Sequence, residues 1–254
     1  MTFDQSEYAI RCEWGEHGVR QLAPISDAVI LVDVLSFSTC VSIATSRGAI
    51  LFPYRFRDDS RLAFAQSVNA ELAGPRGTNA YSLSPASWLK IAAGTRVVLP
   101  SPNGATLTLA TGRTPTFAGC LRNSRAVAEM AMRCGQRIAV IPAGERWAED
   151  GSLRVAVEDM VGAGAIISHL TGSLSPEAQM AVGVYQQARG TLLEVLAQCG
   201  SGTELRARGC EDDVALAAQV DVEDYAPRLQ DGAYVKAEQG TAPDWYSAPL
   251  HTSR

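Results

Sequence analysis

Short apolar runs rich in β-branched residues, each cut off by polar residues and followed by a helical pattern, recur along the chain. They occupy VILVDVLSFSTC (29–40), RVVLPSPNGATL (96–107), TFAGCLRNSRAVA (116–128) and IAVIPAGERW (138–147). The runs end in Asp33, in Ser101-Pro102-Asn103-Gly104, in Arg122-Asn123-Ser124-Arg125 and in Gly144-Glu145-Arg146. Alternation of this kind predicts βα units and a mostly parallel sheet, an α/β fold. Ligands of such sheets sit beyond the carboxyl ends of the strands. The acids, amides and arginines that close these runs are therefore expected along one rim.

The rest of the pattern fills in the architecture. AVILVDVL (28–35) is apolar enough to be covered on both faces, whereas YAIRCEW (8–14) alternates weakly, as an edge strand does. Ser36-Phe37-Ser38-Thr39 opens a helix to Arg47 that Gly48 stops. A strand at AILFPY (49–54) and a helix from Asp58-Asp59-Ser60 to Asn69 follow. GPRGTNAYSLSP (74–85) is the longest loop-like stretch, a candidate lid or subdomain join, and Gly74, Gly77 and Pro85 permit 71–92 to close as a lid without requiring it. A short helix at 86–92 leads to the strand at Val97–Pro100.

Beyond Gly151 the pattern turns helical. Residues 152–170 have helical periodicity, with Gly162-Ala163-Gly164-Ala165 allowing close packing. Ser175-Pro176-Glu177 opens a helix to Gln198, ended by Cys199-Gly200-Ser201-Gly202, and Glu211-Asp212-Asp213 opens another. GAYVKAE (232–238) reads as a last strand. The expected organisation is an α/β region over 1–150 carrying the site loops, a mainly helical region over 151–240 packed on it, and a mobile tail over 241–254.

Composition narrows the function classes. A chain of 254 residues, 46% hydrophobic, buries a sizeable core. Its net charge of −5 and scattered Arg and Lys argue against a nucleic-acid partner, although local cations can still focus on an anion. No apolar run reaches the roughly 18–20 residues of a membrane span. The six cysteines include no C-x-x-C pair and are expected to pack as small hydrophobes in a reduced, cytoplasmic protein.

The candidate chemistry lies at the ends of the apolar runs. Asp33 follows Ala28–Val32, where a carboxylate is costly to bury unless it meets a metal, a cation or helix amides. A haloacid-dehalogenase pattern is disfavoured, because the residue two beyond Asp33 is Leu35. Ser101 and Asn103 offer side-chain hydrogen bonds, and Gly104 lets a ligand approach the backbone. Beside Asn123, either Arg122 or Arg125 suits phosphate or sulfonate oxygens, and Arg146 suits an anion. With three His, no H-E-x-x-H and no paired cysteines, zinc is poorly supported. An oxygen-ligand site from Asp33, Glu145 and Glu158 or Asp159 suits Mg²⁺. No G-x-S-x-G elbow is present, so attack by a metal-activated water is simpler than a covalent route.

Taken together, VDVLSFSTCVSIATSRGA (32–49), LPSPNGATL (99–107), LRNSRAVA around Asn123, IPAGERW with GSLRVAVEDMVGAGAI (141–166), SPEA (175–178), CGSGTEL (199–205) and DDVALAAQVD (212–221) resemble the 2-phosphosulfolactate phosphatases. The blocks are ordered and cover most of the chain. The resemblance implies Mg²⁺-dependent hydrolysis of a phosphate ester on a small sulfonated acid, a step of coenzyme M synthesis. It also implies an α/β fold of unusual topology and a homo-oligomer, expected here as a dimer. Members of that family often carry Arg-Ala where this chain has Ser36-Phe37. Ser36 is then expected at the substrate, with the missing cation supplied by Arg122, Arg125 or Arg146. The contrasting expectations are a sensor that uses the same rim to bind a phosphorylated or sulfonated metabolite without turning it over, and a phosphatase that acts on a different small ester.

Overall fold

The computed structural model describes residues 3–56 and 58–237. Its strands are Ile10–Cys12 (β1), Ala28–Val32 (β2), Ile50–Tyr54 (β3), Glu71–Leu72 (β4), Arg96–Pro100 (β5), Thr116–Gly119 (β6), Ile138–Pro142 (β7), Glu145–Arg146 (β8), Leu153–Arg154 (β9), Pro227–Gln230 (β10) and Ala233–Lys236 (β11). Its helices are Gly15–Leu22 (α1), Phe37–Ser46 (α2), Ser60–Ser67 (α3), Gly104–Ala110 (α4), Ser124–Met132 (α5), Val157–Ile167 (α6), Pro176–Ala188 (α7), Leu192–Gln198 (α8), Gly200–Ala207 (α9) and Glu211–Ala217 (α10).

The α/β class follows from the repeated runs, and β2 is buried along its whole length, as its unbroken apolar sequence requires. Nine strands form one sheet in the order β1-β7-β2-β6-β10-β11-β3-β5-β4, while β8 and β9 pair as a separate hairpin. β1, β7, β2 and β6 are mutually parallel, as are β3, β5 and β4. Between the two blocks lies the C-terminal hairpin β10–β11, antiparallel to β6 on one side and to β3 on the other.

That insertion makes the two parallel blocks run in opposite senses, so there is no single rim of the kind the βα pattern predicts. The carboxyl ends meet nonetheless. Five strand-to-strand steps separate β2 from β5. The loops beyond them make the contact: the Gly104 amide, four residues past β5, donates to Asp33, one residue past β2, at 3.0 Å.

The C-terminal helices differ from expectation in their breaks. Cys199-Gly200-Ser201-Gly202 opens α9 instead of only ending α8, because the Cys199 thiol accepts from the Gly202 amide at 3.3 Å and caps the new helix. The helix predicted to run to Gln198 is interrupted between Ala188 and Leu192, where Gly190 lies. IPAGERW is followed by the β8–β9 hairpin, so the helix of 152–170 begins only at Val157. The expected short helix at 86–92 is a 3-10 turn at Pro85–Trp88, and α1 and β10 had no clear signal. The small-residue stretch does pack closely: a Cβ on Gly164 would stand 2.0 Å from the Ala181 carbonyl oxygen of α7. No described helix is long and apolar enough to cross a membrane. All six cysteines are free. The expected tail over 241–254 lies outside the described residues.

Candidate active site

Asp33 sits one residue beyond β2, only 8% exposed, and its carboxylate joins two helices. Oδ1 accepts from the Phe37 amide at the start of α2 (3.1 Å), and Oδ2 accepts from the Gly104 amide at the start of α4 (3.0 Å). Both amides belong to the first turn, whose N–H groups have no partner within the helix. Position 104 must be glycine for this to happen, since a Cβ there would lie 2.2 Å from the buried Phe37 ring. The Gly104 amide, where a ligand was expected to approach the backbone, is thus engaged by Asp33.

Asn103 does not cap α4 with its side chain. Its Nδ2 instead donates to Glu145 Oε2 at 3.2 Å, tying the loop after β5 to β8. Asp33, Ser36, Ser101, Asn103 and Glu145 line one cavity of about 290 Å³. Burial raises the Asp33 pKa to about 7, with the negative charges of Glu145 and Glu158 adding to the rise and the two amides opposing it.

Facing these acids are cations the sequence reading did not select. Arg76, from the long loop after β4, and Arg208, just past α9, line the same cavity. Arg76 Nη2 donates to Ser36 Oγ at 2.9 Å and also to the Leu83 carbonyl. Its Nε stands 3.5 Å from Asp213 Oδ2. The other Asp213 oxygen accepts from Ser84 Oγ (2.6 Å) and the Ala86 amide (3.2 Å), so the loop is anchored to α10 through one buried acid. Arg208 pairs with Glu204 at 2.5 Å. The G-P-R-G sequence around Arg76 was visible, but only as a loop. Ser201 and Glu204 lie in CGSGTEL, whose glycines predict the end of a helix and not the start of α9, and Arg208 follows that helix with no local signal.

The remaining expected residues are spread more widely. Both Asp159 oxygens are taken by backbone amides, Val34 at 2.7 Å and Gly144 at 2.9 Å, so this acid fastens α6 to the chain leaving β2 and β7. Its pKa is pushed well up by burial and then by Asp33 and Glu158. Glu158 is buried beside the Cys199 thiol, whose own pKa rises to about 12, chiefly through burial. Neither Glu158 nor Asp159 lines the cavity.

Asn123 closes its own turn, accepting from the Cys120 amide at 2.9 Å and donating to the Ala118 carbonyl at 3.2 Å. Arg122 is buried and bonds the Leu216 carbonyl, Gln219 and Glu223, which pins the segment leading into β10. The Arg125 side chain is exposed, 3.8 Å from Asp221, and Arg146 bonds the Gly151 carbonyl at 3.0 Å. Asn123, Arg125 and Arg146 do not line the cavity with Asp33. The cation opposite Ser36 comes from Arg76, not from Arg122, Arg125 or Arg146.

Among the described residues, no group of three or more His, Cys, Asp and Glu side chains converges as a metal cage. The donors that do line the cavity are hard carboxylate oxygens on Asp33 and Glu145. That set fits Mg²⁺, which is usually held by one or two carboxylates, waters and a substrate phosphate. Each Asp33 oxygen keeps a second lone pair beyond its amide bond.

Fold and cavity together define an α/β protein with a small acid-bearing cleft faced by guanidinium groups. The chain belongs to the 2-phosphosulpholactate phosphatase family, whose model matches residues 17–232. It is 29% identical over 212 residues to the 2-phosphosulfolactate phosphatase of Methanothermobacter thermautotrophicus, covering 82% of this chain and 88% of the relative. A Carboxydothermus hydrogenoformans protein named as a probable 2-phosphosulfolactate phosphatase is 28% identical over 219 residues, covering 82% and 89%. A Pseudothermotoga lettingae protein of the same name is 24% identical over 213 residues, covering 82% and 91%.

Proposed function

We propose that the chain is a Mg²⁺-dependent phosphatase that hydrolyses the phosphate monoester of a small anionic metabolite, with 2-phosphosulfolactate the first candidate. One observation carries the reading: Asp33, held by the first amides of two helices, shares a cavity with Glu145, Asn103 and the Arg76 guanidinium. Family membership and the names of the relatives support the reaction and the substrate.

Asp33 and Glu145 would hold Mg²⁺, and Asn103 keeps Glu145 in place through its 3.2 Å bond. Bound Mg²⁺ would supply Lewis-acid polarisation of a phosphoryl oxygen and a more acidic water. Arg76 offers a planar guanidinium to the remaining phosphoryl oxygens, with Ser36 and Ser101 hydroxyls beside it. Asp213 fixes Arg76, so the donor is in position before charge develops in the transition state. Because the Asp33 carboxyl titrates near 7, a proton competes with the cation below that value, and metal loading weakens as pH falls.

The test is phosphate release from 2-phosphosulfolactate and a panel of small phosphate esters, with Mg²⁺ and with EDTA. Turnover with Mg²⁺ that EDTA abolishes is the expected result. Turnover that EDTA leaves intact would remove the metal from the account, and silence across the panel would overturn the phosphatase reading.

A further inference from the structure

A second cavity of about 620 Å³ shares a wall with the one that holds Asp33: Arg76, Leu83 and Arg208 line both. Arg61 of α3 and apolar and glycine positions such as Ala73, Gly74 and Leu99 line this second cavity and not the first. No acidic side chain lines it. Arg76 shares the buried Asp213, and Arg208 is paired with Glu204. Arg61 makes no ion pair among the described residues, and its Nε is buried without a hydrogen-bond partner.

A chain of net charge −5 therefore presents three guanidinium groups around one space, two of them ion-paired from outside it and the third, Arg61, without an ion pair among the described residues. Guanidinium forks bind phosphate, sulfonate and carboxylate oxygens in this way, and low-dielectric walls strengthen the pull. Size points the same way. Ligand cavities commonly run about 300–1,000 Å³. The Asp33 cavity alone stands at the small end of that range, enough for a three-carbon acid, and the second adds more than twice its volume.

We propose that the second cavity is a subsite for a distal anionic group, so that the chain hydrolyses phosphate monoesters whose leaving part carries a second anion farther away than a three-carbon acid allows. The proposal rests on the phosphatase reading and extends it to a class of substrate. Arg61 is its specificity-determining residue, and Arg76 and Arg208 stand between the two ends of the ligand.

The test compares α,ω-alkanediol bisphosphates of three to eight carbons with alkyl monophosphates of matched length, with Mg²⁺, for the wild type, Arg61→Gln and Arg61→Lys. At some length beyond three carbons, the wild type is expected to prefer the bisphosphate by about tenfold or more in kcat/KM, mainly through KM. That lies well above the statistical factor of two. Arg61→Gln should lose most of the preference and Arg61→Lys should keep part of it. Absence of a preference at every length, or a preference that Arg61→Gln leaves in place, would overturn the subsite.

If no ester is turned over, the phosphatase reading fails, and calorimetry with the same probes then decides the subsite separately. Tighter binding of a bisphosphate than of its matched monophosphate, lost in Arg61→Gln, would sustain it. Equal binding of the two would overturn it.

Discussion

Replacing Asp33 with asparagine is expected to remove activity and, at alkaline pH without metal, to make the fold more stable. Asp33 ionises at its ordinary value of 3.8 in the unfolded chain and at about 7 in the folded one. The native state therefore binds the proton more tightly than the unfolded chain between those values, and stability falls as pH rises through that window. At about 1.4 kcal/mol per pH unit, the penalty grows from roughly 1.5 kcal/mol at pH 5 to roughly 4 kcal/mol at pH 8.

Asparagine carries no such penalty. It gives up one of the two amide bonds, from Phe37 or from Gly104, at a cost of about 1–3 kcal/mol that does not vary with pH. Relative to the wild type, the variant should thus gain about 2–3 kcal/mol between pH 5 and pH 8. For a chain of this size that corresponds to a Tm difference of roughly 5–10 °C. The assay is thermal unfolding of both proteins in EDTA at pH 5, 6, 7 and 8. A Tm difference that stays flat across the series would refute the reasoning, because the burial and like-charge origin of the raised pKa would then be wrong. Added Mg²⁺ should restore the wild type at pH 8 and leave Asp33→Asn unmoved.

Glu145→Gln keeps an acceptor for Asn103 but loses the charge, and kcat should fall by about 10²–10³-fold with Tm little changed. A near-normal kcat would remove Glu145 from the machinery. Asp159→Ala leaves the Val34 and Gly144 amides unbonded in the interior, and denaturant titration at pH 4, where burial of this raised-pKa carboxyl costs least, should record a loss of at least about 2 kcal/mol. A loss below about 0.5 kcal/mol would show that neither bond matters to the fold. Gly104→Ala drives a methyl into Phe37, and overpacking of this kind costs about 1–3 kcal/mol, with turnover falling as α4 moves off Asp33. Unchanged activity and Tm would contradict the close approach.

What was legible in the sequence is what is local. The apolar run before Asp33, the turn at Pro102-Asn103-Gly104 and the helices that follow each need only neighbouring residues, and they appear where the pattern predicts. The hairpin β10–β11 was half visible as a final strand. Its place between β6 and β3 depends on pairing with strands more than a hundred positions earlier, and no local period encodes that. Among the cavity residues, Asp33, Ser101, Asn103 and Glu145 stand out in the sequence because they end apolar runs or sit beside such an end, and Ser36 only through its place in the family pattern. Arg76 does not stand out, because its role depends on Ser36, 40 positions away, and on Asp213 of α10. Arg125 and Asn123 illustrate the converse. A polar loop after a strand looks the same in sequence whether it faces a ligand or closes its own turn against Asp221 and Ala118.

The account turns on the carboxylate that joins the starts of α2 and α4. The most direct measurement is phosphate release from 2-phosphosulfolactate with saturating Mg²⁺ at pH 8, for the wild type and Asp33→Asn side by side, each first shown to be folded. The account predicts steady turnover by the wild type and a loss of at least about 10³-fold in the variant. Comparable rates from the two proteins would contradict it.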